Sequence, residues 1–201
     1  MGADFLWRRH AARIVSSWNP SCILDLATGS GDLARVLLHE CPGAQVVGAD
    51  FCLPMLIEAR RKGLAPLFVA DGMQLPFRSG VFDAVTIAFG LRNIASRETA
   101  LEEMHRVIRP GGHVLIMDFS LPEQPFLRTS YRAYLHHILP RLAGAVTGNM
   151  KAYQYLGESI EAFPRGNKMT ALIEGCGFET ARNLPLWQGI VAIYTARKPQ
   201  A

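Results

Sequence analysis

No apolar run in this 201-residue chain approaches the roughly 18 residues needed to cross a bilayer. The opening Met1-Gly-Ala-Asp-Phe-Leu-Trp-Arg-Arg-His10 has no leader-type apolar core behind it, so a soluble, cytoplasmic protein is expected. Cysteine is scarce: the four residues at 22, 41, 52 and 176 lack the paired spacing of a metal site or a disulfide framework, and neither is assigned. Cys22 falls in an apolar run and reads as a buried free thiol. Low-complexity tracts and fixed-period repeats are missing, which argues against disorder and against a solenoid. Also missing are an Asn/Asp-Pro-Pro-Tyr/Phe motif, a catalytic-cysteine signature and a concentrated basic arm, so no nucleic-acid partner is expected. A net charge of +4 permits contact with an anionic membrane surface without demanding it, and a homodimer stays open. With 49% hydrophobic residues the chain can cover the core of one α/β domain spanning 1–201.

What is present begins with Cys22-Ile-Leu-Asp-Leu-Ala-Thr-Gly-Ser-Gly-Asp32 and continues to Val46-Val-Gly-Ala-Asp50. An apolar strand, a glycine-bearing turn, a helix and a second strand ending in a carboxylate form a nucleoside pocket in sequence form. Gly29 and Gly31 let the backbone turn sharply and approach a ligand, and Asp50 can accept from both ribose hydroxyls. Gly29-Ser30-Gly31-Asp32-Leu33-Ala34 fits a dinucleotide pattern literally. However, Asp32 in the first helical turn and Asp25 at the strand end would repel a pyrophosphate. S-adenosylmethionine carries an ammonium and a sulfonium and no phosphate, and these charges favour it. Alternatively, Asp32 only complements the helix dipole and Asp25 is a solvated strand-end carboxylate. A third acid, Asp71, closes Ala65-Pro-Leu-Phe-Val-Ala-Asp71 and precedes Gly72-Met73. It can accept from an adenine amino group with Met73 on the ring face, or it is a turn residue.

Periodicity predicts strands near 22–27, 45–50, 65–70, 81–88 and 112–118, and helices near 31–40, 53–62 and 96–108. This alternation argues for a mostly parallel sheet. Ser96 is a candidate cap for the third helix, which is expected to stop at Pro110-Gly111-Gly112. From 121 to 164 the alternation gives way to Phe126, Leu127, Tyr131, Tyr134, Leu135, Ile138, Leu139 and Leu142 at helical spacing among bases. This segment is either helix buried against the sheet edge or a cap over an apolar pocket that can rest on a bilayer. A helix at 167–175 and strands near 178–184 and 189–197 complete the chain as a terminal hairpin.

Several of these motifs together resemble one family, the class I S-adenosylmethionine-dependent C-methyltransferases of menaquinone and ubiquinone biosynthesis. The matching pieces are Asp25–Asp32, Phe82-Asp-Ala-Val-Thr-Ile-Ala-Phe-Gly-Leu-Arg-Asn93, Arg106-Val-Ile-Arg-Pro-Gly-Gly112, Asp118-Phe-Ser-Leu-Pro122 and Tyr155-Leu-Gly-Glu-Ser-Ile-Glu-Ala-Phe-Pro164. Phe89–Asn93 and Tyr155–Pro164 are the most specific, and the resemblance covers nearly the whole chain. It implies a Rossmann-like, seven-stranded, mostly parallel sheet with helices on both faces, the last strand antiparallel and a helical cap after strand five. It also implies methyl transfer to a ring carbon of a polyprenylated quinol. By position, the cofactor contacts would be Ser30, Asp50, Asp71, Gly72 and Ala88, with Gly29 and Gly31 shaping the loop. Asp25 joins them on the charge argument. Family members usually carry several dozen more residues before the first strand, where this chain has 21, so a shortened start or a different closure of the site is expected. Asp118 stands where the family often has Glu.

Carbon methylation of a quinol needs an oriented ring whose hydroxyl is ionised or polarised. Arg92 is the first choice to steady a phenolate, with Asn93 positioning the hydroxyl or a water; alternatively Arg92 pairs with an acid such as Asp118 to hold the loop. His136 and His137 are candidate bases or exposed helix residues. Tyr153 and Tyr155 are candidate substrate-pocket residues or packing residues. The competing functions are methylation of another small lipophilic phenol, a non-catalytic S-adenosylmethionine-binding homologue, and a nicotinamide oxidoreductase, which the two acids disfavour.

Overall fold

Strands with apolar side chains on both faces must be covered by helices on both sides, and successive residues of β1 (Cys22–Leu26) show this division. Ile23 joins the core beneath α1 (Ala3–Ser16) and α2 (Asp32–Glu40), whereas Leu24 joins the core beneath α4 (Arg97–Val107) and α7 (Asn167–Gly175). A computed structural model describes residues 3–141 and 150–200. Its seven strands lie in the order β3-β2-β1-β4-β5-β7-β6. Here β2 is Gln45–Asp50, β3 Leu67–Val69, β4 Phe82–Ala88, β5 Ile108–Phe119, β6 Glu179–Leu186 and β7 Val191–Arg197. The first five strands pair in parallel, and β7 runs antiparallel to both its neighbours. The fold is the expected one.

The chain enters the sheet at its middle, winds outward to β3, then returns to β4 on the other side of β1. The order therefore reverses between β1 and β4, and the C-terminal ends of these strands border a crevice where open α/β sheets bind ligands.

Local signals account for the helix boundaries. Ser96 caps α4, its Oγ accepting from the Thr99 N–H at 3.2 Å. Pro54 sits in the first turn of α3 (Leu53–Arg61), and Arg60 and Arg61 complement its C-terminal dipole. α2 buries Leu33, Ala34 and Leu37 on one face.

Several elements differ from expectation, β5 among them, which begins at Ile108 rather than near 112. α4 ends at Val107, before Pro110, because Ile108 already pairs with Phe82 as extended chain; Pro110 also disfavours a helical conformation at Arg109. β3 is shorter than 65–70, since Pro66 has no N–H for the ladder. α1 was not anticipated: Ala11, Ala12 and Val15 are fully buried against α2 and the sheet. Cys22 is half-buried rather than buried.

Among the described residues the cap includes α5 (Pro125–Ala133), a π-helical turn at Tyr134–Ile138, and α6 (Met150–Ala162). Leu121, Leu135 and Ile160 form its small core against Phe119. Phe126 points outward with 80% of its surface exposed. The segment thus packs in part on the end of β5 and leaves part of its apolar surface exposed. Leu142 lies outside the described residues.

Candidate active site

The loop after β1 crosses left-handed backbone repeatedly, with φ +51° at Ala27, +56° at Gly29 and +83° at Gly31. At Gly31 a Cβ would lie 1.8 Å from Leu64 Cδ1, so both conformation and space demand glycine. The loop is tied to the neighbouring strand: Thr28 N–H donates to the Ala49 carbonyl at 3.0 Å, and Gly29 N–H donates to Asp50 Oδ2 at 2.7 Å. The other Asp50 oxygen accepts from Cys52 N–H at 2.8 Å. The half-buried Asp50 therefore stands at the lip of the loop with its remaining lone pairs available to hydroxyl donors.

Asp25 occupies a different place from the one its sequence position suggested. It is 1% exposed beneath the loop, accepting from Thr28 Oγ1 and Thr86 Oγ1, each at 2.7 Å. Burial pushes its carboxyl up from 3.8 to about 6, against the hydroxyl hydrogen bonds and the attraction of Arg8. It is neither solvated nor placed to meet a ligand cation directly. Asp32 is exposed, but Lys62 Nζ lies 3.3 Å from it and 2.9 Å from Ser30 Oγ. The repulsion of a pyrophosphate inferred from these two acids is accordingly weaker than the sequence implied.

Asp71 is exposed after β3, its Oδ1 accepting from Met73 N–H at 2.9 Å. A Cβ on Gly72 would meet Ile94 Cδ1 at 2.8 Å, so this turn packs closely on the segment after β4. Glu103 and Arg106 of α4 hold the residues that follow: Glu103 Oε2 accepts from Leu75 N–H at 2.7 Å, and Arg106 donates to the carbonyls of Leu75 and Phe77 at 3.0 and 2.8 Å.

The opposite wall begins at Ala88. Phe89 has φ +59°, a costly conformation for an aromatic residue. It is held by its N–H to the Met117 carbonyl at 2.7 Å and by Arg92 Nη1, which donates to the Phe89 carbonyl at 2.6 Å. The same Nη1 donates to Asp118 Oδ1 at 2.6 Å, and the guanidinium lies 5.4 Å from the Phe119 ring centre. Of the two roles open to Arg92, this is the geometry of the loop-holding pair. Burial raises the Asp118 carboxyl, opposed by Arg92. Gly90 meets the β1 loop so closely that a Cβ would lie 2.5 Å from Ala27 Cβ.

Asn93 and Tyr155 come together, with Tyr155 Oη 3.4 Å from Asn93 Oδ1 and both residues exposed at the crevice side of the cap. Tyr153 is half-buried two residues before Tyr155 on α6, on nearly the opposite side of the helix, and does not join that pair. His136 Nε2 lies 3.1 Å from Glu161 and is engaged there; the His137 side chain is outside the described residues. Among the described residues no cluster has the donor set of a metal site.

The sequence reading missed the contribution of α1. Trp7 packs against Phe89, Phe119 and Trp187 at 6.3, 6.4 and 5.3 Å between ring centres. Arg8 lies 5.3 Å from the centre of the Phe89 ring. The helical spacing of Trp7, Ala11, Val15 and Trp18 was the available signal.

The model of the ubiE/COQ5 methyltransferase family matches residues 1–198. A demethylmenaquinone methyltransferase of Thermus thermophilus is 47% identical over 98% of this chain and 92% of its own length. The ubiquinone/menaquinone biosynthesis C-methyltransferase of Syntrophotalea carbinolica is 40% identical over 96% and 84% respectively. Among solved structures, phosphoethanolamine N-methyltransferase 2 of Haemonchus contortus, in complex with S-adenosyl-L-methionine, superposes with a TM-score of 0.68 at 16% identity. That match covers 95% of this chain and 52% of the other.

Proposed function

The chain belongs to the ubiE/COQ5 methyltransferase family, and from that premise we propose that it transfers a methyl group from S-adenosylmethionine to a ring carbon of a demethylmenaquinol. The observation that carries this reading is the pair of loops facing each other at the sheet's switch point. One is fastened through Asp50 and Gly29, the other through Arg92 and Asp118. The names borne by the Thermus and Syntrophotalea relatives support the substrate class.

The residues present suit the cofactor. Glycine conformations turn the loop tightly beside the half-buried Asp50, whose oxygens can accept from ribose hydroxyls, while Asp71 and Met73 can serve an adenine ring. Ser30, Gly72 and Ala88 are the further cofactor contacts this reading assigns, the buried Gly72 through its backbone. Bound there, S-adenosylmethionine supplies an electrophilic methyl group on its sulfonium. Asp25 acts beneath the loop, orienting Thr28 and Thr86, and Arg92 acts through Phe89 by fixing its backbone. Asn93 and Tyr155 are the polar groups that orient a quinol hydroxyl, directly or through a water, so that the adjacent carbon faces the methyl group. Phe126, exposed on the cap, supports peripheral contact with a membrane that supplies the lipophilic substrate. No helix among the described residues is long and apolar enough to cross one.

Turnover of reduced, short-tail demethylmenaquinol with S-adenosylmethionine tests the proposal. The expected product is heavier by one methyl substituent. Asp50→Ala should weaken S-adenosylhomocysteine binding by about a hundredfold, the loss of hydrogen bonds to a charged acceptor. Tight binding without turnover of any quinol would favour a non-catalytic homologue, and turnover of a simple phenol alone would favour another substrate.

A further inference from the structure

S-adenosylmethionine carries one anionic group, the carboxylate at its methionine end, and the contacts assigned to it so far contain no cation. They are acids, glycines, Ser30 and Ala88. A carboxylate drawn out of water into a crevice needs a charged donor to offset its lost hydration. The strand order says where that donor has to stand. With adenine at Asp71 after β3 and ribose at Asp50 after β2, the rest of the molecule continues over β1 toward β4.

Two cations near this path are already committed. Arg92 is engaged by Asp118 and the Phe89 carbonyl, each at 2.6 Å. Lys62, at the end of the connection from β2 toward β3, serves Ser30 Oγ at 2.9 Å and Asp32 at 3.3 Å. Arg8 of α1 differs from both. Its guanidinium lies 5.3 Å from the centre of the Phe89 ring, one residue past Ala88 and the end of β4. It also reaches β1: burial raises the Asp25 carboxyl, and Arg8 is the charged group that acts against that rise. Arg8 shares a cleft wall with Asp32, where the glycine loop enters α2. Phe89, Asp25 and Asp32 thus bring it to the loop from three directions.

The Arg8 side chain is only 16% exposed, yet Nε alone is engaged, with the two Asp4 oxygens at 3.1 and 3.2 Å. Among the described residues neither Nη makes a hydrogen bond. Asp4 is 55% exposed, so solvent screens this pair and leaves most of the Arg8 charge to act elsewhere. We propose that Arg8 receives the carboxylate of the cofactor's methionine end through its two Nη groups, an inference that rests on the cofactor reading above. A planar guanidinium matches a carboxylate in two parallel hydrogen bonds. The Phe89 ring, set by φ +59°, is the platform against which the guanidinium lies. α1 is therefore part of the cofactor site as well as of the core.

Titration calorimetry compares S-adenosylhomocysteine with its decarboxylated analogue, which keeps the amine, at about pH 8 so that Asp25 stays ionised. The unaltered protein should bind the analogue about tenfold or more weakly, the loss of charge-assisted hydrogen bonds. Arg8→Met should weaken S-adenosylhomocysteine by a similar factor and leave the analogue within about twofold, so that the preference disappears. Arg8→Lys keeps the charge without the fork and should retain part of the preference, so the comparison does not depend on one variant folding. Equal affinity of the unaltered protein for the two ligands would overturn this inference. So would an equal loss of both in Arg8→Met, which would mean that α1 acts through packing alone. A preference kept by Arg8→Met and abolished by Lys62→Met would move the carboxylate to the end of α3. Binding of neither ligand by the unaltered protein would instead overturn the cofactor reading itself.

Discussion

The Arg92 guanidinium and the Asp118 carboxylate meet at 2.6 Å with side chains 10% and 1% exposed. Their union fixes the loop that carries Phe89 and Asn93. Removing one partner leaves the other as an uncompensated buried charge. Asp118→Ala should therefore cost about 3–5 kcal/mol in urea unfolding. The double variant Arg92→Leu/Asp118→Leu should cost less than Asp118→Ala alone, because no charge is stranded. Additive losses would show that the pair is not coupled.

Asp25 makes stability depend on pH in a stated direction. Burial raises its carboxyl in the folded chain from 3.8 to about 6, so the folded state binds the proton more tightly than the unfolded state. Its contribution to stability is largest at low pH and falls as pH rises from about 4 to about 7, by up to about 3 kcal/mol. Asp25→Asn cannot titrate. The stability difference between Asp25→Asn and the unaltered protein should therefore shift in favour of the variant across that window and level off above it. A difference independent of pH would contradict the assignment.

Gly31 combines a left-handed backbone with a neighbour that occupies the space of a side chain. Gly31→Ala should lose about 2–4 kcal/mol, part from φ and part from the clash with Leu64. A double-mutant cycle with Leu64→Ala should return a coupling of about 1 kcal/mol or more, since removing Leu64 relieves only the clash. S-adenosylhomocysteine affinity should fall with Gly31→Ala, measured by titration calorimetry.

Much of this frame can be read in the sequence because the determinants are local. The apolar runs of β1, β2 and β4 are nearly continuous, as strands covered on both faces must be. Ser96 and Pro54 mark helix starts by capping chemistry, and Asp50 and Asp71 end strands where the sheet topology places a ligand. What escaped depends on partners distant in sequence. Nothing near Asp25 announces that Thr86 will bury it, and nothing near Asp32 announces Lys62. The choice between a catalytic and a loop-holding Arg92 needed the position of Asp118, 26 residues away. α1 escaped for another reason: Arg8, Arg9, His10 and Arg13 interleave with its stripe of Trp7, Ala11, Val15 and Trp18, and the two central alanines add little contrast.

The most direct test follows the methyl group itself. S-adenosylmethionine carrying a trideuterated methyl group is supplied with a reduced demethylmenaquinol, and the product is read by mass spectrometry and proton NMR. The account predicts that the label replaces the single ring hydrogen beside the hydroxyl, and that Asn93→Ala lowers kcat/KM for the quinol by about tenfold while S-adenosylhomocysteine affinity is retained. Label recovered on a hydroxyl oxygen as a methyl ether, with the ring hydrogen still present, would contradict it.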